Sequence, residues 1–214
     1  TFRYTGFSQF FYWDRNYEFK ARLWEEELYL PQVAVGIRDM IGTGVFGSEY
    51  LVASKQIANI DVTLGVGWGR LAGAASLTNP LSFVSDRFSV RSGESGFGSR
   101  FAVSDYFSGR EVGVFGGVSH AFESLPITAM LEYNPDQYDW NVGNGGKRPE
   151  SPWSAGFTWH MLPGLDLRLS LQHGDEIGIG FRSFVKTGAE PARRAPEQFL
   201  SSYYLSQSDL PSQI

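Results

Sequence analysis

The sequence predicts an all-β protein, an antiparallel transmembrane β-barrel of roughly ten strands, closed alone or forming part of a larger barrel assembly. Three observations predict it. Apolar and polar residues alternate with period two in one segment after another, tight and long connections alternate between the segments, and aromatic rings gather near segment ends.

The segments follow in chain order. Residues 2–6 form a partial strand, and 17–24, 32–39 and 48–55 read as moderate ones. The clearest is 60–70, which sets Ile60, Val62, Leu64, Val66 and Trp68 against Asp61, Thr63, Gly65, Gly67 and Gly69. Successive side chains of a strand point to opposite faces, so such a segment is two-sided. Residues 111–122 alternate more weakly, while 125–134 set Ile127, Ala129, Leu131 and Tyr133 against Thr128, Glu132 and Asn134. Residues 153–161 set Trp153, Ala155, Phe157 and Trp159 against Ser154, Gly156, Thr158 and His160. Leu165, Leu167, Leu169 and Leu171 repeat the pattern over 165–173, and 177–185 complete the set. Helical spacing fits only stretches 23–30 and 189–205. The barrel is expected to span 1–186, with 187–214 as a periplasmic tail or linker.

Connection lengths add a topology. Tight links at 56–59, 123–124 and 162–164 fall at one end of the sheet, and long polar links at 71–110 and 135–152 at the other. Outer-membrane barrels have short periplasmic turns and long extracellular loops, and the 174–176 link is the exception in length. Tyr17, Trp24, Trp68, Tyr133, Trp153 and Trp159 lie near strand ends, where amphipathic rings favour the membrane–water boundary. A soluble sandwich would use the same alternation with its apolar face as core. Ring placement, glycine on the polar face and the loop asymmetry favour the membrane.

Composition is consistent with this. The 214 residues carry a net charge of −5, without the basic excess of a nucleic-acid binder. Glycine occurs 25 times and cysteine not at all, which excludes disulfides and Cys-ligated zinc in this sequence. No apolar run of about 18 residues could form a spanning helix. Mean hydropathy is an ordinary −0.21, as alternation would make it. The sequence opens at Thr1 without a signal peptide, so it reads as a processed or truncated segment.

Candidate binding residues are the charges expected to face a lumen: Arg38, Glu49, Lys55, Asp61, Glu111, Glu132, Asp166, Arg168 and Arg182. In a narrow barrel they would pair with one another, because buried charge must be compensated. The functional alternative is a polar conduit or a surface for a hydrophilic polymer. Nothing points to catalysis, a cofactor or a metal. His120, His160 and His173 have no ligand spacing, and the run Gly93-Glu94-Ser95-Gly96 misses a nucleophile elbow at Phe97. The run Gly65-Val66-Gly67-Trp68-Gly69 is a strand with room on one face rather than a dinucleotide loop. Glu25, Glu26 and Glu27 read as a solvated link. Arg38, Asp39 and Gly42-Thr43-Gly44 read as a strand end and turn, with contact to a polymer or partner as the alternative.

One stretch carries a resemblance: Tyr29-Leu30-Pro31-Gln32-Val33-Ala34-Val35-Gly36-Ile37-Arg38-Asp39, continuing through Ser48-Glu49-Tyr50-Leu51-Val52-Ala53-Ser54-Lys55 and Asp61-Val62-Thr63-Leu64-Gly65-Val66-Gly67-Trp68-Gly69. With Ser108-Gly109-Arg110-Glu111-Val112-Gly113-Val114-Phe115-Gly116-Gly117 and Leu131-Glu132-Tyr133-Asn134-Pro135-Asp136, it resembles the YjbH-like family of outer-membrane exopolysaccharide and capsule biosynthesis proteins. The resemblance implies a non-enzymatic outer-membrane barrel of Gram-negative bacteria that assists polysaccharide secretion or assembly. Membrane lipid, extracellular polysaccharide and other export proteins would be its partners. A small-solute porin and an outer-membrane lipid- or glycan-modifying enzyme are the alternatives.

Overall fold

The computed structural model describes residues 2–7, 12–40, 46–74, 76–91, 105–143 and 146–184. The expected tail at 187–214, the stretch 189–205, the run Gly93 to Phe97 and Gly42-Thr43-Gly44 lie outside these residues.

The chain is all-β and antiparallel. Strands β1 (Phe2–Phe7) and β2 (Tyr12–Tyr17) pair as a separate two-stranded sheet. The large sheet contains β3 (Phe19–Trp24), β4 (Gln32–Arg38), β5 (Ser48–Ile57), β6 (Ile60–Gly67), β7 (Leu77–Thr78) and β8 (Glu111–Ala121). It continues with β9 (Ile127–Tyr133), β10 (Trp153–Leu162), β11 (Leu165–Gln172) and β12 (Glu176–Ser183). Nine of these form a meander in chain order from β3 to β12, and the two-residue β7 pairs beside β8. The nine correspond to nine of the ten expected strands. The tenth, at 2–6, belongs instead to the small sheet, with a partner at Tyr12–Tyr17 that was not expected. Among the described residues β3 and β12 are the outer strands of the path, and no pairing joins them.

Register follows the alternation. Tyr133, Leu131 and Ala129 of β9 stand opposite Trp153, Ala155 and Phe157 of β10, and Phe157 and Trp159 oppose Leu169 and Leu167 of β11. Opposed residues share a face, so each strand's apolar set lines up with the next. Shifts occur between Arg22 and Trp24 in β3, and between His160 and Leu162 in β10, where bulges add twist at strand ends.

Connections sort by end as expected. The hairpins β5–β6, β8–β9 and β10–β11 turn at one end, and the β3–β4 link of residues 25–31 joins them there. The opposite end bears the links 39–47, 68–110 and 134–152 and the three-residue turn 173–175. Two links are less irregular than their composition suggests. Residues 68–110 contain β7 and three 3-10 turns, at Gly69–Leu71, Pro80–Phe83 and Asp86–Ser89, and the link 134–152 contains the short helix α1 (Asp139–Gly143).

Candidate functional site

The register defines two faces. One carries Val35, Leu51, Val66, Val114, Leu131, Phe157, Leu169 and Ile179, at least one apolar residue from each strand of that run. The other carries Tyr50, Gly65, Phe115, Glu132, Ser154, Ser170 and Gly178. Nothing among the described residues covers the apolar face over most of its extent. Leu64 is 61% exposed, Ile177 80% and Phe181 75%. The buried apolar side chains of the described residues are Val33, Ala34, Tyr50, Trp68, Leu71, Val112 and Pro135, and five of them lie at the long-loop end.

That end is held by buried polar side chains. Glu49 is 1% exposed, and its carboxylate accepts two bonds from Arg91, at 2.8 and 3.0 Å, and one from the Phe107 N–H at 2.9 Å. Asn79 is fully buried. Its side-chain oxygen accepts from Trp68 Nε1 at 3.0 Å, and its amide donates to the carbonyls of Phe88, Phe107 and Gly109. Every polar atom of these two side chains is thus satisfied, the condition for burying it without large cost. The Tyr106 hydroxyl donates to the Met40 carbonyl and so joins two links. Burial pushes this phenol up, with Glu49 and Asp39 adding to the shift and Arg91 opposing it.

The polar face differs between its two halves. Over β4, β5, β6 and β8 it is filled. The Tyr50 ring lies where a side chain on Gly36 would stand, and the Phe115 ring does the same at Gly65. These two rings meet edge to face at 6.1 Å. Leu71 packs on Gly67, and its carbonyl crosses Gly113 so closely that no Cβ fits there. Beside it Arg70 pairs with Asp136 at 2.5 Å and lies 4.9 Å from the Phe46 and Tyr138 rings. Burial, reinforced by Asp136, raises the Tyr138 phenol.

Over β9 to β12 the same face is open. Two cavities of about 650 and 410 Å³ run along it and meet at Met130, Arg168 and Gly180. Asp166 lies in the first, with His160 Nδ1 at 2.8 Å and Arg182 at 3.4 Å. His160 Nε2 is 3.2 Å from Thr128 Oγ1. Beside an Asp166 carboxylate, which can only accept, a neutral imidazole donates Nδ1–H to it and accepts at Nε2 from the Thr128 hydroxyl, whereas an imidazolium donates to both. The second cavity is lined by Glu132, Ser154, Ser170, Gln172 and Tyr138 among others.

Of the nine candidate charges, the register gathers Arg38, Asp61, Glu111, Glu132, Asp166, Arg168 and Arg182 on the polar face. They do not form one network. Arg38 pairs with Glu18 at 3.4 Å and lies over the Tyr50 ring, and Glu111 accepts from the Ser76 hydroxyl at 2.7 Å. Glu49 and Lys55 depart from the expected placement, because they share the face of Leu51 and Ala53 rather than that of Tyr50 and Ser54. Glu49 is consumed by Arg91, and Lys55 by Glu26 at 3.1 Å together with the Glu27 carbonyl. Trp68 lies under the long link against Phe107 rather than at the edge of an exposed face, whereas Tyr133 and Trp153 do form an edge-to-face pair near a strand end. Sequence reading missed Asn79 and Arg91, since their partners are distant in the chain and no periodicity marks them.

A family model described as exopolysaccharide biosynthesis protein YbjH matches residues 2–203. The chain belongs to the YjbH family. It is 37% identical over 169 residues to the protein named uncharacterized lipoprotein YjbH of Escherichia coli (strain K12). That alignment covers 79% of this chain and 24% of the relative, so the chain spans about a quarter of the length of the curated relative it matches. No solved structure matches it.

Proposed function

We propose that this YjbH-family chain forms β-barrel wall in the bacterial outer membrane, in a protein that assists secretion or assembly of an exopolysaccharide. The observation that carries the reading is the inverted burial of the sheet. Its apolar face bears exposed large apolar side chains on every strand of the meander from β3 to β12 except β4, where Val33 is buried, while the polar face holds packed rings, ion pairs and cavities. Water-soluble monomers rarely expose contiguous apolar patches beyond about a few hundred Å². Hydrocarbon favours such a face at about 25 cal/mol per Å². Strands β5, β8 and β10, of 10, 11 and 10 residues, have the roughly 9 to 11 residues a tilted spanning strand needs. A bilayer interior cannot hydrogen-bond a free edge, so in the membrane β3 and β12 must pair with each other or with further strands. The lipoprotein name of the Escherichia coli relative fits an envelope location.

The family description supplies the polysaccharide, and the polar groove over β9–β12 supplies a surface suited to a hydrated polymer. A general porin fits less well, because Tyr50, Phe115 and Leu71 occupy half of the polar side. The Thr128–His160–Asp166 chain is the one observation favouring a hydrolytic enzyme, as it orders hydroxyl, imidazole and carboxylate like a catalytic triad. Ladder pairing already uses the backbone N–H groups of the described strand residues around it, which leaves none of these for an oxyanion hole. We therefore read it as a structural hydrogen-bond chain in a non-enzymatic wall.

The test is conductance of the purified full-length protein in planar bilayers, with and without the exopolysaccharide of its host. Steady conductance blocked by that polymer is expected. Conductance indifferent to polymer would favour the porin, and failure to enter bilayers would remove the membrane reading. Asp166→Asn should leave the chemical composition of the secreted polymer unchanged, and loss of a modification would revive the enzyme.

A further inference from the structure

We propose that the groove over β9–β12 binds a hydroxyl-rich polymer bearing carboxylates, and that Arg168 takes the carboxylate. The proposal rests on the exopolysaccharide reading and names the chemistry of its ligand. Among arginines of the large sheet, Arg22 pairs with Glu25, Arg38 with Glu18 and Arg182 with Asp166. Arg168 has no carboxylate partner among the described residues. Its guanidinium reaches across β10 to Met130 Sδ at 2.7 Å, and a thioether is a weak acceptor. Its directly opposed neighbours, Thr158 and Gly180, offer no negative charge. The nearby carboxylate of Asp166 is committed to His160 and Arg182.

Position adds to this. Arg168 is exposed and lines both cavities at their junction, so an extended ligand in the groove passes it. Beyond it, Ser154, Ser170 and Gln172 present short hydrogen-bonding groups suited to sugar hydroxyls, and Gly180, with no atom nearer to a Cβ position than Arg168 Cβ at 3.9 Å, keeps the floor clear beside the guanidinium. A guanidinium matches a carboxylate with two parallel bonds, which a neutral sugar cannot provide. Glu132 stands in the second cavity without an ion-pair partner among the described residues, so its charge opposes an anion there and favours its placement at Arg168.

The probes are galacturonic acid oligomers and their methyl esters, the same backbone without charge, titrated calorimetrically into the full-length protein in lipid nanodiscs. The acidic oligomer is expected to bind at least about tenfold more tightly than the ester, as a charge-assisted pair implies. Arg168→Gln should remove that preference, and Arg168→Lys should restore part of it. Glu132→Gln should tighten the acidic oligomer by about two- to threefold, a change opposite in sign to Arg168→Gln. Equal binding of acid and ester, an acid preference that survives Arg168→Gln, or no binding of either would each overturn the proposal. Incorporation into bilayers is read separately. A protein that fails to insert would be titrated in detergent instead, and an Arg168-dependent preference there would lose the barrel and keep the site.

Discussion

The two halves of the large sheet use one alternation to opposite ends. In β4–β6 and β8, Gly36, Gly65, Gly67 and Gly113 leave space that Tyr50, Phe115 and Leu71 occupy. In β9–β12, Gly180 leaves space that no described residue fills, and at Gly178 only the polar tips of Ser170 and Gln172 reach over the backbone. A glycine on an inward face is therefore only a vacancy. What matters is whether a ring or a loop from elsewhere reaches it. The long link 68–110 supplies Leu71 to the first half, while among the described residues the second half has only the turn 173–175 and part of the link 134–152 above it.

If the filled half is a true packed unit, its variants must cost far more than those of the open half. Arg91→Ala should cost the most, because it strands the buried Glu49 carboxylate. We expect about 3 kcal/mol or more, read by urea unfolding in lipid vesicles, with the 68–110 link newly open to protease. A loss under 1 kcal/mol would mean that water already reaches Glu49. Gly113→Ala comes next, since its methyl would overlap the Leu71 carbonyl, and overpacking of this kind costs about 1–3 kcal/mol. In the open half, Asp166→Asn should cost about 0.5–1 kcal/mol, because its Arg182 partner is 44% exposed and screened. The smallest effect belongs to Gly180→Ala, whose new methyl would find its nearest neighbour, Arg168 Cβ, at 3.9 Å. It should stay within about 0.5 kcal/mol. Equal penalties at Gly113 and Gly180 would erase the distinction between the halves.

The strands and their order were legible because alternation is local, and runs such as Leu165 to Leu171 leave no other reading. Two things were not. The face of Glu49 and Lys55 was ambiguous because β5 places Leu51 and Ala53 on one side and Tyr50 and Val52 on the other, apolar residues on both. Only the pairing with Val62 and Ala53's partner Leu64 fixes which side faces out. The filling of the first half depends on Leu71 and Arg70, which belong to a link read as irregular, and on the Arg70–Asp136 pair across 66 residues. Strand β2 escaped because Asp14, Arg15 and Asn16 interrupt its alternation. Arg168 itself was legible as a polar-face charge, but its lack of a carboxylate partner among the described residues is a fact of three dimensions.

The three-residue turn at 173–175 has one more consequence. Its neighbours on the same rim are long, and one of them braces it, through Lys147 to Asp175 and the Ser151 N–H donating to the His173 carbonyl at 2.9 Å. The rim therefore has a fixed low point, directly above the strands that bear the groove. A flexible molecule crossing this wall would meet its narrowest obstacle there, and would approach Arg168 sideways, over β11 and β12.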